Sequence, residues 1–413
     1  MASFWSMDPL VIICAMEGPD AYALAGGLGT RVSELARALA GEGVETHLFF
    51  VGDPGAPGEE SPAPRLTLHR WSQWLSRYYP LGVYHGEEDK IRDIEGSLPE
   101  YLVDGPLGAA VAAGRPFVVL MEEWQLGRTM IRLRHILGAR GMHRAGLLVM
   151  NFNNPMGFHR VPWLELNWAA RLTTVSRFMK HTMWQWGVNP FVLPNGIAAS
   201  DFDPPDPALV PRVRAMREER MLLLKVARFD PDKRWLQAIE GMAQLKAQGE
   251  APRLVLRGGM ERHGQDVESA AQWAGLSIEH VTELPEHPVG DILWFDTRIS
   301  PRILRVLYAE SDLVLCQSGL EPFGLVGLEA MAQGAAVLVG TTGEDYAVAR
   351  INSLVQESDE PAELAYHARE ARSNRVLSRR LRAQARRTAR RYAWSRIIHD
   401  EMGDLYRFFW EVK

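Results

Sequence analysis

The sequence predicts an α/β protein made of two parallel-sheet domains in series. Three observations carry this. Short apolar runs alternate with amphipathic stretches from end to end, and the alternation restarts after a polar, proline-rich interruption. The 413 residues also exceed what one ordinary core holds, so two domains of about 200 residues each are expected.

Leu10–Met16 is a continuous apolar run of strand length, and Thr30–Leu39 behind it has apolar residues at helical spacing. Strands are expected at Thr46–Val51, Phe117–Met121, Leu147–Phe152, Leu172–Val175 and Phe191–Leu193, with helices at Thr129–Leu137 and Arg177–Trp186. Between Val51 and Phe117 the pattern weakens among Pro, Gly and the aromatics Trp71, Trp74, Tyr78, Tyr79 and Tyr84, so an irregular insertion is expected there. Asn195-Gly196, followed by Asp201, Asp203, Pro204, Pro205 and Pro207, marks the interruption. Residues 1–198 are assigned to the first domain, 199–217 to a linker and 218–390 to the second domain. In the second, strands are expected at Met221–Val226, Leu254–Leu256, Leu313–Cys316 and Ala336–Val339. Its helices are expected at Trp235–Lys246, Asp266–Trp273, Arg302–Tyr308 and Gly324–Gln333. The tail from Pro361 to Trp410 reads as one long helical stretch. Such Rossmann-like sheets bind ligands outside the carboxyl ends of their strands, and two of them in series are expected to face across a cleft.

Composition narrows the function. With 46% hydrophobic and 23% charged residues the chain has the make-up of a soluble globular protein. A net charge of -5 and a pI near 6.2 argue against a general nucleic-acid binder, while a small anion needs only local positive charge. Cys14 and Cys316 each lie inside an apolar run, which points to unpaired thiols in a reducing compartment and to no disulfide framework or CxxC metal signature. The first residues lack a basic region followed by a long apolar core, and no apolar run reaches about 18 residues, so a cytoplasmic protein is expected. Arginines recur from Arg369 to Arg396 in the tail. Since only six of the 46 basic residues are lysine, a solvated helix face is preferred there over an anionic membrane surface.

The most informative stretch is Glu321-Pro-Phe-Gly-Leu-Val-Gly-Leu-Glu329-Ala-Met-Ala-Gln-Gly334, where a strand hands over to a helix. Glu321 falls in the loop before the helix start. At about 1.5 Å rise per residue, Glu329 lies roughly 9 Å further along it, and the free N–H groups of Phe323, Gly324 and Leu325 lie between the two acids. A nucleotide sugar along this helix would put sugar hydroxyls at Glu321, the diphosphate on those N–H groups and the ribose at Glu329. Glu329 interrupts an otherwise apolar and small-residue helix, where an acid without a partner is costly. Upstream, Val226-Ala-Arg228-Phe-Asp-Pro-Asp-Lys233 follows a strand and precedes a helix, so Arg228 and Lys233 flank one turn and could converge on a diphosphate. These charges and the helix N–H groups would stabilise a dianionic leaving group in place of a metal. In the first domain, Leu24-Ala-Gly26-Gly27-Leu-Gly29 opens a helix, where glycines let backbone N–H groups approach a phosphate; a tight βα loop is the other reading. The spacing is not that of a GxGxxG dinucleotide fingerprint. Asp201-Phe-Asp203 and Asp230-Pro-Asp232 have DxD spacing, but a proline-rich stretch and a turn account for them without a metal.

Over most of its length the chain resembles retaining glycosyltransferases of the GT-B fold, family 4, related to glycogen and sucrose synthases. The likeness rests on Gly26-Gly27-Leu-Gly with its following helix, Thr174-Val-Ser-Arg-Phe-Met-Lys, Val192-Leu-Pro-Asn195-Gly196-Ile, Arg228 to Lys233, Glu321 to Gly334, and Trp394 near a C-terminal helix. The resemblance implies two Rossmann-like domains, with residues 391–413 crossing back to the first. It implies a nucleoside diphosphate sugar on the second domain, best matched by UDP-glucose ahead of GDP-mannose and ADP-glucose. Arg228 and Lys233 would hold the diphosphate, Glu329 the ribose and Glu321 the sugar, with Gly26 and Gly27 closing over the phosphates and no obligatory metal or other cofactor. The partners are then that nucleotide sugar and a hydroxyl acceptor on the first domain, which attacks from the leaving-group side with retention.

Several positions depart from the pattern. Leu24-Ala25 replace a lysine of the glycogen synthase group, which argues against polyglucan synthesis. Relatives place a histidine after the fourth strand of the first domain; here Asn153, Asn154 and His159 are the candidates for that position. Thr342-Gly343-Glu344 stands where a Gly-Gly pair is usual. A GT-B epimerase or phosphorylase and a non-catalytic sugar- or nucleotide-binding protein are the alternative readings, and the co-occurrence of Arg228, Lys233, Glu321 and Glu329 argues against the last.

Overall fold

The computed structural model describes residues 4–412. The chain forms two compact units, one of residues 1–198 with 393–413, the other of residues 199–392.

The first unit is built on an eight-stranded sheet. Its strands are β1 (Leu10–Cys14), β2 (Thr46–Val51), β3 (Glu59–Ala63), β4 (Leu66–Trp71), β5 (Phe117–Glu122), β6 (Gly146–Phe152), β7 (Arg171–Thr174) and β8 (Phe191–Val192). Their order is β3-β4-β2-β1-β5-β6-β7-β8, and every pair is parallel except β3 with β4. The central strands β1, β5 and β6 are buried along their whole length, as parallel strands covered on both faces must be, which is why they read as unbroken apolar runs.

The stretch read from the sequence as an irregular insertion is ordered. It holds β3, β4 and the helices Gln73–Ser76, Glu87–Asp104 and Pro106–Ala112. In Glu87–Asp104 the residues Ile91, Ile94, Leu98 and Leu102 form a buried stripe, and Glu87, Glu88 and Asp89 fill the first turn, where the helix dipole favours acids. Pro99 inside the helix and the aromatic-rich prelude mask this periodicity. Of its aromatics, Trp71 is structural, its Nε1 donating to Ser97 Oγ (2.9 Å) and its ring meeting Phe49 and Tyr101 edge-on, whereas Trp74, Tyr78 and Tyr84 are exposed.

The second unit has strands β9 (Met221–Val226), β10 (Pro252–Arg257), β11 (Ile278–Val281), β12 (Ile292–Phe295), β13 (Leu313–Cys316), β14 (Val337–Val339) and β15 (Leu354–Val355). Their order is β11-β12-β10-β9-β13-β14-β15, all parallel. Strands β11, β12 and β15 had no expectation from the sequence. The segment 199–217, expected as a linker, carries a 3-10 turn at Ala199–Phe202 and a helix at Val210–Arg217 that buries Val213 and Met216, both within this unit.

The long tail helix is broken. Helix Pro361–Ser373 ends at Asn374, whose side chain accepts from Leu377 N (3.0 Å) and so caps the next helix, Arg375–Arg391. Two arginines on that helix also reach other elements: half-buried Arg382 donates through Nη1 to the carbonyls of Ala309 (3.1 Å) and Gly334 (3.2 Å), and Arg386, though exposed, through Nη2 to that of Gln333 (3.1 Å). After Tyr392 the chain rejoins the first unit through a bridge between Ile197 and Ala393, a π turn at Ile397–Met402 and a helix at Gly403–Glu411. Trp394 lies flat enough against Gly196 that a Cβ there would sit 2.4 Å from the indole. Asn195 and Gly196, which precede the proline-rich interruption, are buried in the first unit, with Asn195 bonded to Arg31.

Among the described residues both cysteines are unpaired, and no helix is long and apolar enough to cross a membrane.

Candidate active site

In the second sheet the strand order reverses between β9 and β13, and the loops leaving the carboxyl ends of these neighbours form the crevice of a doubly wound fold. The loop after β9 carries Arg228 and Lys233; the loop after β13 carries Ser318 and Glu321. Folding brings the two loops together: Lys233 Nζ lies 2.6 Å from Glu321 Oε2, both side chains being 18% exposed. Ser318 Oγ donates to the same oxygen at 3.2 Å. Glu321 is fixed from behind, its N–H donating to Thr342 Oγ1 (2.8 Å) and its carbonyl accepting from that hydroxyl (3.2 Å).

The helix after Glu321 spans Leu325–Ala332, one residue shorter at each end than the expected Gly324–Gln333. Gly324 precedes it with φ +78°, a left-handed conformation that glycine adopts without penalty. Tyr346 explains the small residues here, because its Oη donates to Gly324 O (2.7 Å) and would lie 2.3 Å from a Cβ at Gly327. The Phe323 side chain is buried and packs on Tyr346 and Tyr392, so only its backbone faces the question of a ligand. Leu325 follows at the helix start. Glu329 sits one turn in and accepts from Tyr308 Oη at 3.3 Å. Arg228 is exposed, its carbonyl held by Trp235 Nε1 (2.8 Å).

Two buried titratable groups lie here; the sequence marks Glu344 only as part of the departure from a Gly-Gly pair and does not single out Lys225. Glu344, only 6% exposed, has neither carboxylate oxygen in a well-formed hydrogen bond; burial, followed by the charge of Glu321, pushes its acid up to about 8. Lys225 at the end of β9 is enclosed, with Nζ 5.1 Å over the Trp235 ring and 3.4 Å from Gln317 Oε1, and burial pushes its amine down to about 7. An acid in a loop and a lysine in a strand are ordinary in sequence; only packing reveals that water is excluded from them.

In the first sheet the order reverses between β1 and β5. Glu17, just past β1, accepts from Gly26 N (2.8 Å) and Gly29 N (3.0 Å), while Tyr84 Oη donates to its other oxygen (2.6 Å). The Gly26 N–H that the sequence offered to a phosphate is therefore taken by a carboxylate. Gly27 begins the helix Gly27–Gly41, and open space lies where its Cβ would be. Glu122, the last residue of β5, is ion-paired with Arg31 (3.2 Å) and accepts from Asn151 Nδ2 (2.8 Å) and Asn153 Nδ2 (2.7 Å). Glu123 next to it holds φ +72°, accepts at Oε1 from Asn153 N (2.7 Å), and has no partner for Oε2. Burial pushes the Glu123 acid up to about 8. Asn154 makes a turn onto Met156 N (2.9 Å), and His159 is exposed on the 3-10 turn Phe158–Arg160. Of the three candidates for the histidine position, Asn153 is the one that meets the acids; Glu122 and Glu123 were missed, although an acidic pair closing an apolar run was visible.

Asp230 caps its own turn by accepting from Asp232 N (3.0 Å). Among the described residues no three His, Cys, Asp or Glu side chains are grouped to hold a metal ion.

Residues 210–388 match the sequence model of the family described as glycosyl transferases group 1. The D-inositol 3-phosphate glycosyltransferase of Geodermatophilus obscurus is 29% identical over 220 residues, which span 52% of this chain and 47% of that protein, about half its length. The protein of the same name from Stackebrandtia nassauensis is 27% identical over 405 residues, 92% of this chain and 86% of its own. Among solved structures, sucrose-phosphate synthase from Thermosynechococcus elongatus superposes with a TM-score of 0.72 at 20% identity, covering 98% of this chain and all of that one. The fold is the GT-B fold expected from the sequence, and the second unit carries a group 1 glycosyltransferase domain.

Proposed function

We propose that the protein is a retaining hexosyltransferase that moves a hexosyl group from a nucleoside diphosphate sugar to a hydroxyl acceptor, with no obligatory metal. The observation that carries this reading is the Lys233–Glu321 pair at 2.6 Å, set at the switch point of the matched domain and directly ahead of a helix start. An anion at that helix start meets unpaired N–H groups and the positive end of the helix dipole.

In this reading Glu321 accepts from donor-sugar hydroxyls and Glu329 from the ribose. Lys233, Arg228 and the backbone N–H groups of Phe323, Gly324 and Leu325 hold the diphosphate. The donor C1–O bond breaks, the acceptor oxygen bonds to C1 from the same face, and the acceptor proton passes to the leaving phosphate oxygen. Those cationic and N–H groups stabilise the charge that develops on the phosphate, a contribution of order 3 kcal/mol per well-placed donor. Gly26, whose N–H was expected over the phosphates, gives that N–H to Glu17 instead. UDP-glucose is the first donor to test, then GDP-mannose and ADP-glucose. The two inositol relatives carry a phosphorylated polyol in their name and add that class to the acceptor panel.

The test is a thermal-shift screen of nucleotide sugars and free nucleotides, followed by an assay of donor hydrolysis. Hydrolysis that Glu321→Ala or Lys233→Ala abolishes and a chelator leaves unchanged supports the reading. Absence of nucleotide binding in calorimetry overturns it.

A further inference from the structure

We infer that Glu344 is a positioning residue of the donor site: from behind the turn at Gly324 it governs how firmly Lys233 and the neighbouring backbone N–H groups hold the donor diphosphate, without touching the donor itself. This rests on the transferase reading above and adds a residue that the set Arg228, Lys233, Glu321 and Glu329 leaves out.

The geometry comes from the loop that follows β14. Its Thr342 clasps the backbone of Glu321 at both N–H and carbonyl. Gly343 lies so close to the same segment that a Cβ there would sit 2.1 Å from Glu321 O and 2.2 Å from Pro322 O. Glu344 is thereby pressed against the turn: a Cβ at Gly324 would lie 2.9 Å from Glu344 Cγ, 3.0 Å from Tyr346 Oη and 3.3 Å from Glu321 Cγ. Two carboxyl side chains and a phenol thus converge on a residue whose N–H is proposed to meet the diphosphate. Tyr346 gives its hydroxyl to Gly324 O (2.7 Å), and Glu321 is engaged by Lys233 and Ser318. Glu344 differs from both, since it is 6% exposed and neither of its oxygens is in a well-formed hydrogen bond. It also belongs to the Thr342-Gly343-Glu344 segment where this chain departs from a Gly-Gly pair.

What Glu344 controls is the charge behind the turn. The charged and titratable groups acting on it or acted on by it are Glu321 and Lys233 from the two neighbouring loops, Tyr346 on its own loop and Cys316 at the end of β13. Tyr392 packs on Tyr346, and Glu329 and Lys225 act on the same Cys316 thiol. Burial and then Glu321 push the Glu344 acid up to about 8, while burial pushes the Tyr346 phenol well above its usual 10 and the Cys316 thiol up to about 12. Of these three, only Glu344 changes charge between pH 7 and pH 9. While it is neutral, Lys233 answers to Glu321 and to the incoming phosphate. Once it ionises, a second carboxylate competes for Lys233 and places negative charge behind the Gly324 N–H, where it repels the diphosphate.

The experiment measures donor kcat/KM from pH 6 to pH 9.5 for the full chain and for Glu344→Gln, which keeps the shape and cannot ionise. The donor is the nucleotide sugar fixed by the thermal-shift screen, and circular dichroism at each pH checks that both proteins stay folded. The ratio of unaltered protein to variant is expected to be level up to about pH 7. It should then fall at least about tenfold by pH 9.5, mostly through the donor KM, because an acid near 8 is by then almost fully ionised. Lys225, whose amine lies at about 7, is common to both proteins and cancels in the ratio. An acid with a merely structural role would change the variant by the same factor at every pH, so a level ratio overturns the inference. If the variant does not fold, calorimetry of donor binding to the unaltered protein at pH 8.5, in two buffers of different ionisation enthalpy, takes its place. Net proton uptake is then expected, and binding without uptake overturns the inference. Failure of every nucleotide sugar to bind between pH 6 and pH 7 would instead sink the transferase reading, and this inference with it.

Discussion

Lys233 and Glu321 are 88 residues apart in the chain and 2.6 Å apart in the fold. Each is the other's counter-charge, so the group proposed to grip phosphate and the group proposed to grip the sugar are electrostatically one unit. Lys233→Ala should therefore lower kcat/KM for the donor by about 10²-fold or more, in the range seen when a single group stabilising developing charge is removed. Glu321→Gln keeps the shape and loses the charge. It should give a comparable loss, and the double variant should lose less than the product of the two, as residues acting together do. Steady-state kinetics of the three variants checks this; fully multiplicative losses would count against coupling.

Glu344 supplies a pH signature. Its folded-state acid is raised to about 8, above the ordinary carboxyl value of 4.5, so the folded protein holds a proton that the unfolded chain releases. Its contribution to stability is then fully present below about pH 4.5 and is lost as pH rises through 8. Lys225 acts in the opposite sense, since its amine is depressed to about 7 and its charging opposes folding at lower pH. Comparing variants isolates the acid: the stability of the unaltered protein minus that of Glu344→Gln should fall steadily from pH 5 to pH 8. A flat difference in urea melts across that range would contradict the assignment.

Gly196 and Trp394 join the returning tail to the first unit. A Cβ at residue 196 would sit 2.4 Å from the indole, so Gly196→Ala should cost about 1–3 kcal/mol, as overpacking does. In a Trp394→Ala background the same change should cost much less. Chemical denaturation of the four-member cycle measures the difference.

Arg386 acts on the proposed donor helix from its far end. Its guanidinium donates to the Gln333 carbonyl (3.1 Å), placing a positive charge at the C-terminus of Leu325–Ala332, where the helix dipole favours it. Arg386→Ala should cost about 1–2 kcal/mol and raise the donor KM more than it lowers kcat, because it touches no reacting atom. Melting temperature together with the KM and kcat values tests this.

Strands β2, β9 and β13 have the bounds their apolar runs suggested, because a strand buried on both faces writes its length directly into the sequence. The region 52–116 did not, because its helix stripe is interrupted by Pro99 and preceded by the fully exposed strand β3 and the half-buried strand β4, neither of which shows as an apolar run. The Arg-rich helix shows the same limit. Its arginines read as one solvated face, yet Arg382 and Arg386 reach buried carbonyls of other elements, which no spacing within the helix could reveal.

By itself the sequence determined the two alternating α/β halves, the glycine turn, and the candidate pairs Arg228 with Lys233 and Glu321 with Glu329, since period and local chemistry are properties of neighbouring residues. Tertiary structure alone decided which of these groups meet. It closed the Lys233–Glu321 pair, gave the glycine turn to Glu17 instead of leaving it open, and excluded water from Glu123 and Glu344. Burial and counter-charge are set by segments far apart in the chain, so the ionisation of these acids could not be read until the chain was folded.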